Sequence, residues 1–338
     1  MGAFIKACIK ACIGLVIGLA WPVAVAAQAA PAPAVMQTID LWPDGTPAGS
    51  GSAPNGGERV SRSGRSVGAV SNISKPRIEI IRPAHPDGTA VLIIGGGGLF
   101  RIEIDHESRP TAEWLAALGV TPAILYYRLP ADGWAPVAPF QDAQRAMRVL
   151  RAHAAELGID PQRIGVIGFS SGGDIAGITA TRFAHDFYPP MDAMDRLSSR
   201  PDFAGLIYPV TSMQPPYDTT RTYRELAAQP DARTAYTVQL HVTPRTPPVF
   251  IAHAADDPIV NVGSSLALFE ALHREHVPVE LHVFETGGHG WGLGTPGSRV
   301  GNWPALFAGW AASHGFMTAQ GGVAAAPRPA TTPAGGGG

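Results

Sequence analysis

Apolar positions through the middle of the chain follow two rhythms in turn. "RIEIIRP" (77–83) alternates apolar and polar residues and reads as a strand, and "TAVLIIGG" (89–96) is continuously apolar, as a fully buried strand would be. Further strands are expected at "VTPAILYYRL" (120–129), "RIGVIGF" (163–169), "FAGLIYPV" (203–210), "PPVFIAHA" (247–254) and "VELHVFE" (279–285). Between them the spacing turns helical. "PTAEWLAALG" (110–119) has Pro110 in its first turn and Gly119 as its stop. "DAQRAMRVLRAHAAELG" (142–158) predicts an amphipathic helix with Asp142 at its start, near the positive end of the dipole, and Gly158 at its end. Ala146, Val149, Leu150, Ala154 and Leu157 lie on one side of it. Other helices are expected from near Gly173, at about 263–276 and at 303–314. Strands alternating with crossover helices make an α/β fold, a mostly parallel sheet with helices on both faces.

The flanks read differently. Lys6 and Lys10 precede the apolar run "ACIGLVIGLAWPVAVAA", and Val25 and Ala27 satisfy a small-x-small cleavage rule. Residues 1–27 are therefore expected to be a signal peptide, since the run is short for a span and Pro22 interrupts it. The mature protein would be periplasmic or secreted, with no stable membrane association after cleavage. Both cysteines, Cys8 and Cys12, fall inside this segment, so no disulfide and no thiolate nucleophile is expected after it. Residues 28–74 are expected to form an extended N-terminal segment, its Gly/Ser-rich part from about 44 wrapping the surface rather than building core. Residues 317–338, rich in Gly, Ala, Pro and Thr, are expected to be disordered. That leaves 75–316 as the main domain, with a Pro-, Tyr- and Thr-rich, lid-like insertion at about 186–246. A chain of 338 residues, 45% hydrophobic, suffices for one large domain. Its net charge of −2 gives no electrostatic case for nucleic acid or an anionic membrane surface.

"GFSSGG" (168–173) changes the picture from fold to chemistry. It fits G-x-S-x-G between a buried strand and a helix, where a sharp turn holds the hydroxyl of Ser170 clear of the sheet. A serine hydroxyl needs a base within hydrogen-bond reach. Of eleven histidines, most sit on helices or surface strands, but His289 lies in "TGGHGWG" directly after the last strand. That loop falls at the carboxyl end of the sheet, the same end as Ser170. An imidazole base needs an acceptor for its second nitrogen, and "HAADDPIV" (253–260) offers Asp256 and Asp257, either of which could serve. The order Ser, Asp, His along the chain is that of α/β-hydrolases. The Ser171 N–H at the helix start is one expected oxyanion donor, and "IIGGGGLF" supplies Gly97 and Gly98 as the others. A phosphate loop is excluded at these glycines, because its Lys and Ser/Thr are missing, as is the spaced dinucleotide fingerprint.

On these residues, together with "DLWPDGTP", "IDHESRPTAEWLAALGV", "YYRLP", "DAQRAMRVLR" and "RPDFAGLIYPV", the sequence resembles a branch of the α/β-hydrolase fold over about 39–315. The branch is that of exported bacterial esterases similar to acetyl-xylan and other carbohydrate acetyl esterases, related to the prolyl-oligopeptidase and dienelactone-hydrolase groups. The resemblance implies Ser170 as nucleophile, His289 as base and Asp257 as acid. It favours Asp257 over Asp256, because the family's acid lies three residues before the valine that matches Val260. Gly95, Leu99, Ser171 and Asp174 depart from the residues usual in the branch and are expected to alter the pocket rim. Asp105 and His106 lie in a family-like segment near the mouth, where a hydrogen bond at the start of the following helix is their expected role.

The expected activity is hydrolysis of a small-molecule or carbohydrate ester, removing acetyl or another short acyl group through Ser170. A general short-chain carboxylesterase, a prolyl-oligopeptidase-like serine peptidase and an inactive binding protein on the same fold are the alternatives. No metal or organic cofactor is implied, since the histidines lack zinc-ligand spacing and no H-E-x-x-H is present.

Overall fold

The computed structural model describes residues 36–318. The expected signal peptide and its cleavage site, and the tail beyond Thr318, lie outside the described residues. Eight strands form the main sheet: β1 (Met36–Asp40), β2 (Arg77–Ile81), β3 (Ala90–Ile94), β4 (Thr121–Tyr126), β5 (Ile164–Phe169), β6 (Ala204–Ile207), β7 (Val249–Ala254) and β8 (Val279–Phe284). They lie in the order β1-β2-β4-β3-β5-β6-β7-β8. β1 and β2 pair antiparallel to each other, β2 runs antiparallel to β4, and every remaining pair is parallel. The central strands β3 to β7 are buried at every residue, which is why they read as unbroken apolar runs rather than alternating ones.

Five longer helices cover the sheet: α1 (Arg109–Ala117), α2 (Ala138–Ala152), α3 (Ser170–Thr181), α4 (Gly263–Arg274) and α5 (Trp303–Ser313). Glycines on neighbouring strands show the two faces. A Cβ on Gly168 would strike Ala176 of α3, whereas one on Gly205, which pairs with Ile167, would lie 2.9 Å from the Phe307 ring of α5. α1 joins α5 on its face through Trp114, edge-on to Trp303 and Phe307, while α2 packs with α3 on the other.

Register places the chemistry. Ile94 pairs with Gly168, Phe169 with Ile207, Ile207 with Ala252, and Ala254 with Phe284. The carboxyl ends of β3, β5, β6, β7 and β8 therefore finish at nearly one level. The glycine loop, Ser170, Tyr208, Asp257 and His289 all leave the sheet along the same rim.

Three expectations are corrected. α2 begins at Ala138, with Pro139 in its first turn, and Asp142 sits one turn inside it. Asp142 does not cap the helix because its carboxylate is committed elsewhere: it accepts from the Arg128 backbone N–H at 2.8 Å, the Arg128 guanidinium at 2.8–3.0 Å and Trp42 Nε1 at 2.7 Å. The polar face of α2 is also packed against partners. Arg145 binds Asp192 and Asp195, and Arg148 binds Asp186, so the 186–196 segment buries that side through ion pairs. Finally, the segment before β2 does contribute core: Leu41, Trp42, Ala69, Val70 and Ile73 are buried. β6 runs through the middle of the 186–246 interval, leaving only its flanks outside the sheet, and 220–222 reaches the rim described below.

Arg128 and Asp142 are both fully buried, so each neutralises a charge that water cannot reach. Asp142→Leu should lower stability by about 3–5 kcal/mol, because it strands the guanidinium. The double variant with Arg128→Met should recover much of that loss. Urea midpoints test this; additive losses in the double variant would contradict it.

Candidate active site

The turn from β5 into α3 is built from backbone that only small residues permit. Ser170 is the first residue of α3 and adopts φ +51°, strained for a side chain with a Cβ. A Cβ on Gly172 would collide with the Ile94 carbonyl, and one on Gly96 would lie 2.8 Å from Phe169 O and Ser170 Cβ. The helix thus starts three residues earlier than expected, at the serine itself, and the glycine loop passes against it.

Ser170 Oγ lies 2.8 Å from His289 Nε2, and His289 Nδ1 lies 2.6 Å from Asp257 Oδ2. The Asp257 side chain is fully buried and its other oxygen accepts the N–H groups of Ile259 and Val260. Burial by itself opposes its ionisation. The hydrogen bonds from His253 and His289, the charge of His289 and the Val260 N–H outweigh burial and hold the carboxylate well below its ordinary range. With Asp257 ionised, His289 carries its proton on Nδ1 and leaves Nε2 to accept from the serine. Asp256 serves the loop instead. Its Oδ1 accepts the N–H groups of Gly287 and Gly288 at 2.8 and 2.7 Å and so fixes the start of the segment that carries His289.

The predicted oxyanion donors are arranged unequally. Gly97 and Gly98 have φ +122° and +65°, conformations that favour glycine. The Gly98 N–H donates to Ser171 Oγ at 2.9 Å, so it is engaged rather than open. The buried Ser171 hydroxyl takes this N–H and also meets the Tyr127 phenol. The Gly97 N–H has no acceptor among the described residues. The Ser171 N–H belongs to the first turn of α3, where amides lack intrahelical acceptors.

A cavity of about 560 Å³ opens over Ser170 and His289. Val210 and Val260 line one part of it, and Ser66, Arg101, Glu103, His106, Thr220 and Arg221 supply polar groups. Gly95, Leu99, Ser171 and Asp174 were expected at this rim; all four are buried behind it and line none of it. Asp174 in particular is fully enclosed with neither carboxyl oxygen hydrogen-bonded, and burial pushes it well above the ordinary range. The segment before α1 divides its roles. Asp105 accepts from Arg109 one turn on, while His106 donates through Nε2 to Gly290 O at 2.7 Å, beside His289.

Three functional neighbours escaped the sequence reading. His253, the first residue of "HAADDPIV", is buried, accepts from Ser265 Oγ on Nδ1, and presents Nε2 to Val260 O and Asp257 at 3.1 and 3.2 Å. Glu107 and Tyr208 meet beneath the site at 2.9 Å. Each stands inside one of the segments quoted above, but a buried polar residue at a strand end (His253, Tyr208) or in the turn before α1 (Glu107) carries no periodic signal. Among the described residues no His, Cys, Asp and Glu side chains cluster as a metal site, and no helix is long and apolar enough to cross a membrane.

Comparison with known proteins places this geometry in a family. Residues 91–293 match the family model described as alpha/beta hydrolase fold. An acetylxylan esterase of Xylanibacter ruminicola is 28% identical over 237 residues, 67% of this chain and 46% of that protein. The chain thus spans less than half the length of that relative. The crystal structure of an acetyl ester-xyloside bifunctional hydrolase from Caldicellulosiruptor lactoaceticus superposes with a TM-score of 0.69 at 31% identity, covering 83% of this chain and 97% of the other. A propionate-bound esterase from Thermogutta terrifontis gives 0.62 at 25% identity, covering 74% and 93%.

The lowered ionisation of Asp257 has a consequence for stability. Its contribution is complete above the unfolded value of about 3.9 and is lost as pH falls through the lower folded value. Below about pH 4, wild type should lose thermal stability more steeply than Asp257→Asn. Parallel melting curves over that range would contradict the assignment.

Proposed function

Because this chain belongs to the alpha/beta hydrolase fold family, we propose that it is a serine carboxylic-ester hydrolase that removes acetyl or other short acyl groups from carbohydrate. The observation that carries this reading is the relay Ser170–His289–Asp257, at 2.8 and 2.6 Å, at the floor of an open cavity. Ser170 is the nucleophile, His289 the general base and then acid, and Asp257 the group that fixes the His289 tautomer and stabilises its imidazolium form. The leader pattern in residues 1–27 supports action outside the cytoplasm.

As Ser170 Oγ attacks the ester carbonyl, its proton passes to His289 Nε2. The tetrahedral oxyanion is held by the N–H groups of Ser171 and Gly97, and by that of Gly98 once it leaves Ser171 Oγ; one such donor is worth about 3 kcal/mol of barrier. The alcohol leaves with the proton from His289, and a water molecule repeats the sequence to release the acid. Phe100, Val210, Ile259 and Val260 offer apolar surface for the acyl group, while the polar residues of the rim suit a hydroxyl-rich alcohol. The names of the acetylxylan esterase and the acetyl ester-xyloside hydrolase support the same substrate class.

Acid release from p-nitrophenyl acetate, butyrate and octanoate and from acetylated xylan, for wild type and Ser170→Ala, tests the proposal. Activity on short esters and acetyl-xylan that vanishes in the variant is the expected result. Strong octanoate hydrolysis with none on xylan would move the reading to a general carboxylesterase, and unchanged hydrolysis in Ser170→Ala would sink the mechanism.

A further inference from the structure

Beneath the relay lies a second set of hydrogen bonds that the mechanism above does not use. Glu107 lies in the turn Ile104–Ser108 and is 2% exposed, yet its side chain borders the cavity that holds Ser170. Its Oε2 accepts the Gly96 N–H at 2.6 Å, and its Oε1 accepts the Tyr208 hydroxyl at 2.9 Å. Gly96 adjoins the oxyanion donor Gly97. The Tyr208 phenol oxygen in turn accepts the Gly292 N–H at 3.0 Å, three residues after His289. The Tyr208 ring also meets the His289 ring edge-on, centroids 4.9 Å apart.

Tyr208 is held against its own preference. It follows β6 at φ +37°, a rare backbone conformation for a bulky residue, and is fully buried there. Strain of this kind persists only where surrounding bonds over-determine it. Here they are the Tyr208 N–H to Ala252 O at 2.7 Å, the phenol to Glu107 and the Gly292 N–H to the phenol.

Proton counting fixes the form of Glu107 that this arrangement needs. Gly96 and Gly292 each bring an N–H, and Tyr208 brings one O–H. A carboxylate accepts from Gly96 and Tyr208 together, leaving the phenol oxygen free for Gly292. A proton on Oε1 would point at the phenol oxygen and leave the buried phenol proton without an acceptor, which is costly.

We propose that Glu107 is a positioning residue of this active site: as a carboxylate it locks the oxyanion loop and the His289 loop into one frame through Tyr208, and its protonation releases them. The inference rests on the esterase reading for the meaning of that frame. The ionisable groups facing Glu107 are Glu103 on its own segment, Tyr208 after β6, Tyr127 after β4 and His289 across the cavity. Burial pushes the Glu107 carboxyl up to about 7, against the hydrogen bonds from Gly96 and Tyr208 and the pull of His289, while Glu103 adds to the rise. The release therefore falls near neutral pH.

Glu107→Gln keeps the shape but replaces one acceptor oxygen with an NH₂ that cannot receive either bond. With p-nitrophenyl acetate, kcat should fall about 10- to 100-fold while KM changes less than about threefold, the pattern of a lost transition-state arrangement rather than lost binding. The acid limb of kcat/KM in wild type should be steeper than one ionisation allows, and Glu107→Gln should restore a single-ionisation slope. Tyr208→Phe, which retains the ring against His289, should show the same slope change, and the double variant should be no slower than the worse single variant. Wild-type kcat and pH profile in both single variants, or additive losses in the double variant, would overturn the proposal. If Glu107→Gln does not fold, Tyr208→Phe decides by the same criteria. Infrared difference spectra of wild type against Tyr208→Phe across pH 5.5 to 8.5 give a readout free of turnover. A buried carboxyl band converting to carboxylate near pH 7 and displaced in the variant supports the proposal; an unmoved band contradicts it. Unchanged hydrolysis in Ser170→Ala would remove the esterase reading while leaving that spectral result standing.

Discussion

Everything at this site depends on how closely two stretches of backbone pass each other. β3 and β5 end side by side, Ile94 paired with Gly168, and the Gly95–Gly98 loop crosses the start of α3 without side chains between them. A Cβ at Gly96 or Gly172 would meet main-chain atoms of the other stretch. That contact presents the serine hydroxyl, the helix-start amides and the loop amides to one small volume. Donors that already face that volume, as the Ser171 and Gly97 amides would, need no rearrangement as charge develops, whereas the Gly98 N–H is held by Ser171 Oγ.

Buried charges hold the frame around that contact. Asp257 receives His289, His253 and two backbone amides, so its negative charge is compensated from several directions. Asp256 and Glu107 instead receive backbone amides of the loops themselves, Gly287 and Gly288 in one case and Gly96 in the other. Carboxylates thereby take the place of regular secondary structure in glycine-rich segments that have little side-chain packing of their own. Farther out, Arg128 with Asp142, and Arg145 with Asp192 and Asp195, tie the segments flanking the sheet to α2 by the same means.

Much of this was legible along the chain, for identifiable reasons. Buried parallel strands read as apolar runs, so β3 through β7 were legible as strands, whereas the order in which they pair was not. Ser170 and His289 could be named because each sits in a glycine-rich turn after a strand at one end of the sheet. The family resemblance singled out Asp257 from Asp256, and the structure brings the three side chains together. What stayed hidden was polar burial. Nothing in the periodicity of α2 tells that Asp142, Arg145 and Arg148 face buried partners, so Asp142 was placed at the helix start rather than one turn inside it. Glu107 and His253 were hidden by the same rule, since a charged or imidazole side chain near a loop reads as surface until its partners are known. Ser171 and Asp174 are the converse: beside the nucleophile in sequence, they point away from the cavity because α3 turns them inward.

The central claim is that Ser170 becomes covalently acylated because His289 can take its proton. Reaction with a fluorophosphonate followed by peptide mass spectrometry tests it most directly, since the probe labels only an activated serine. The account predicts one adduct per chain, on Ser170, absent in Ser170→Ala and strongly slowed in His289→Ala. An adduct on Ser171 or elsewhere, or labelling that persists in Ser170→Ala, would contradict it.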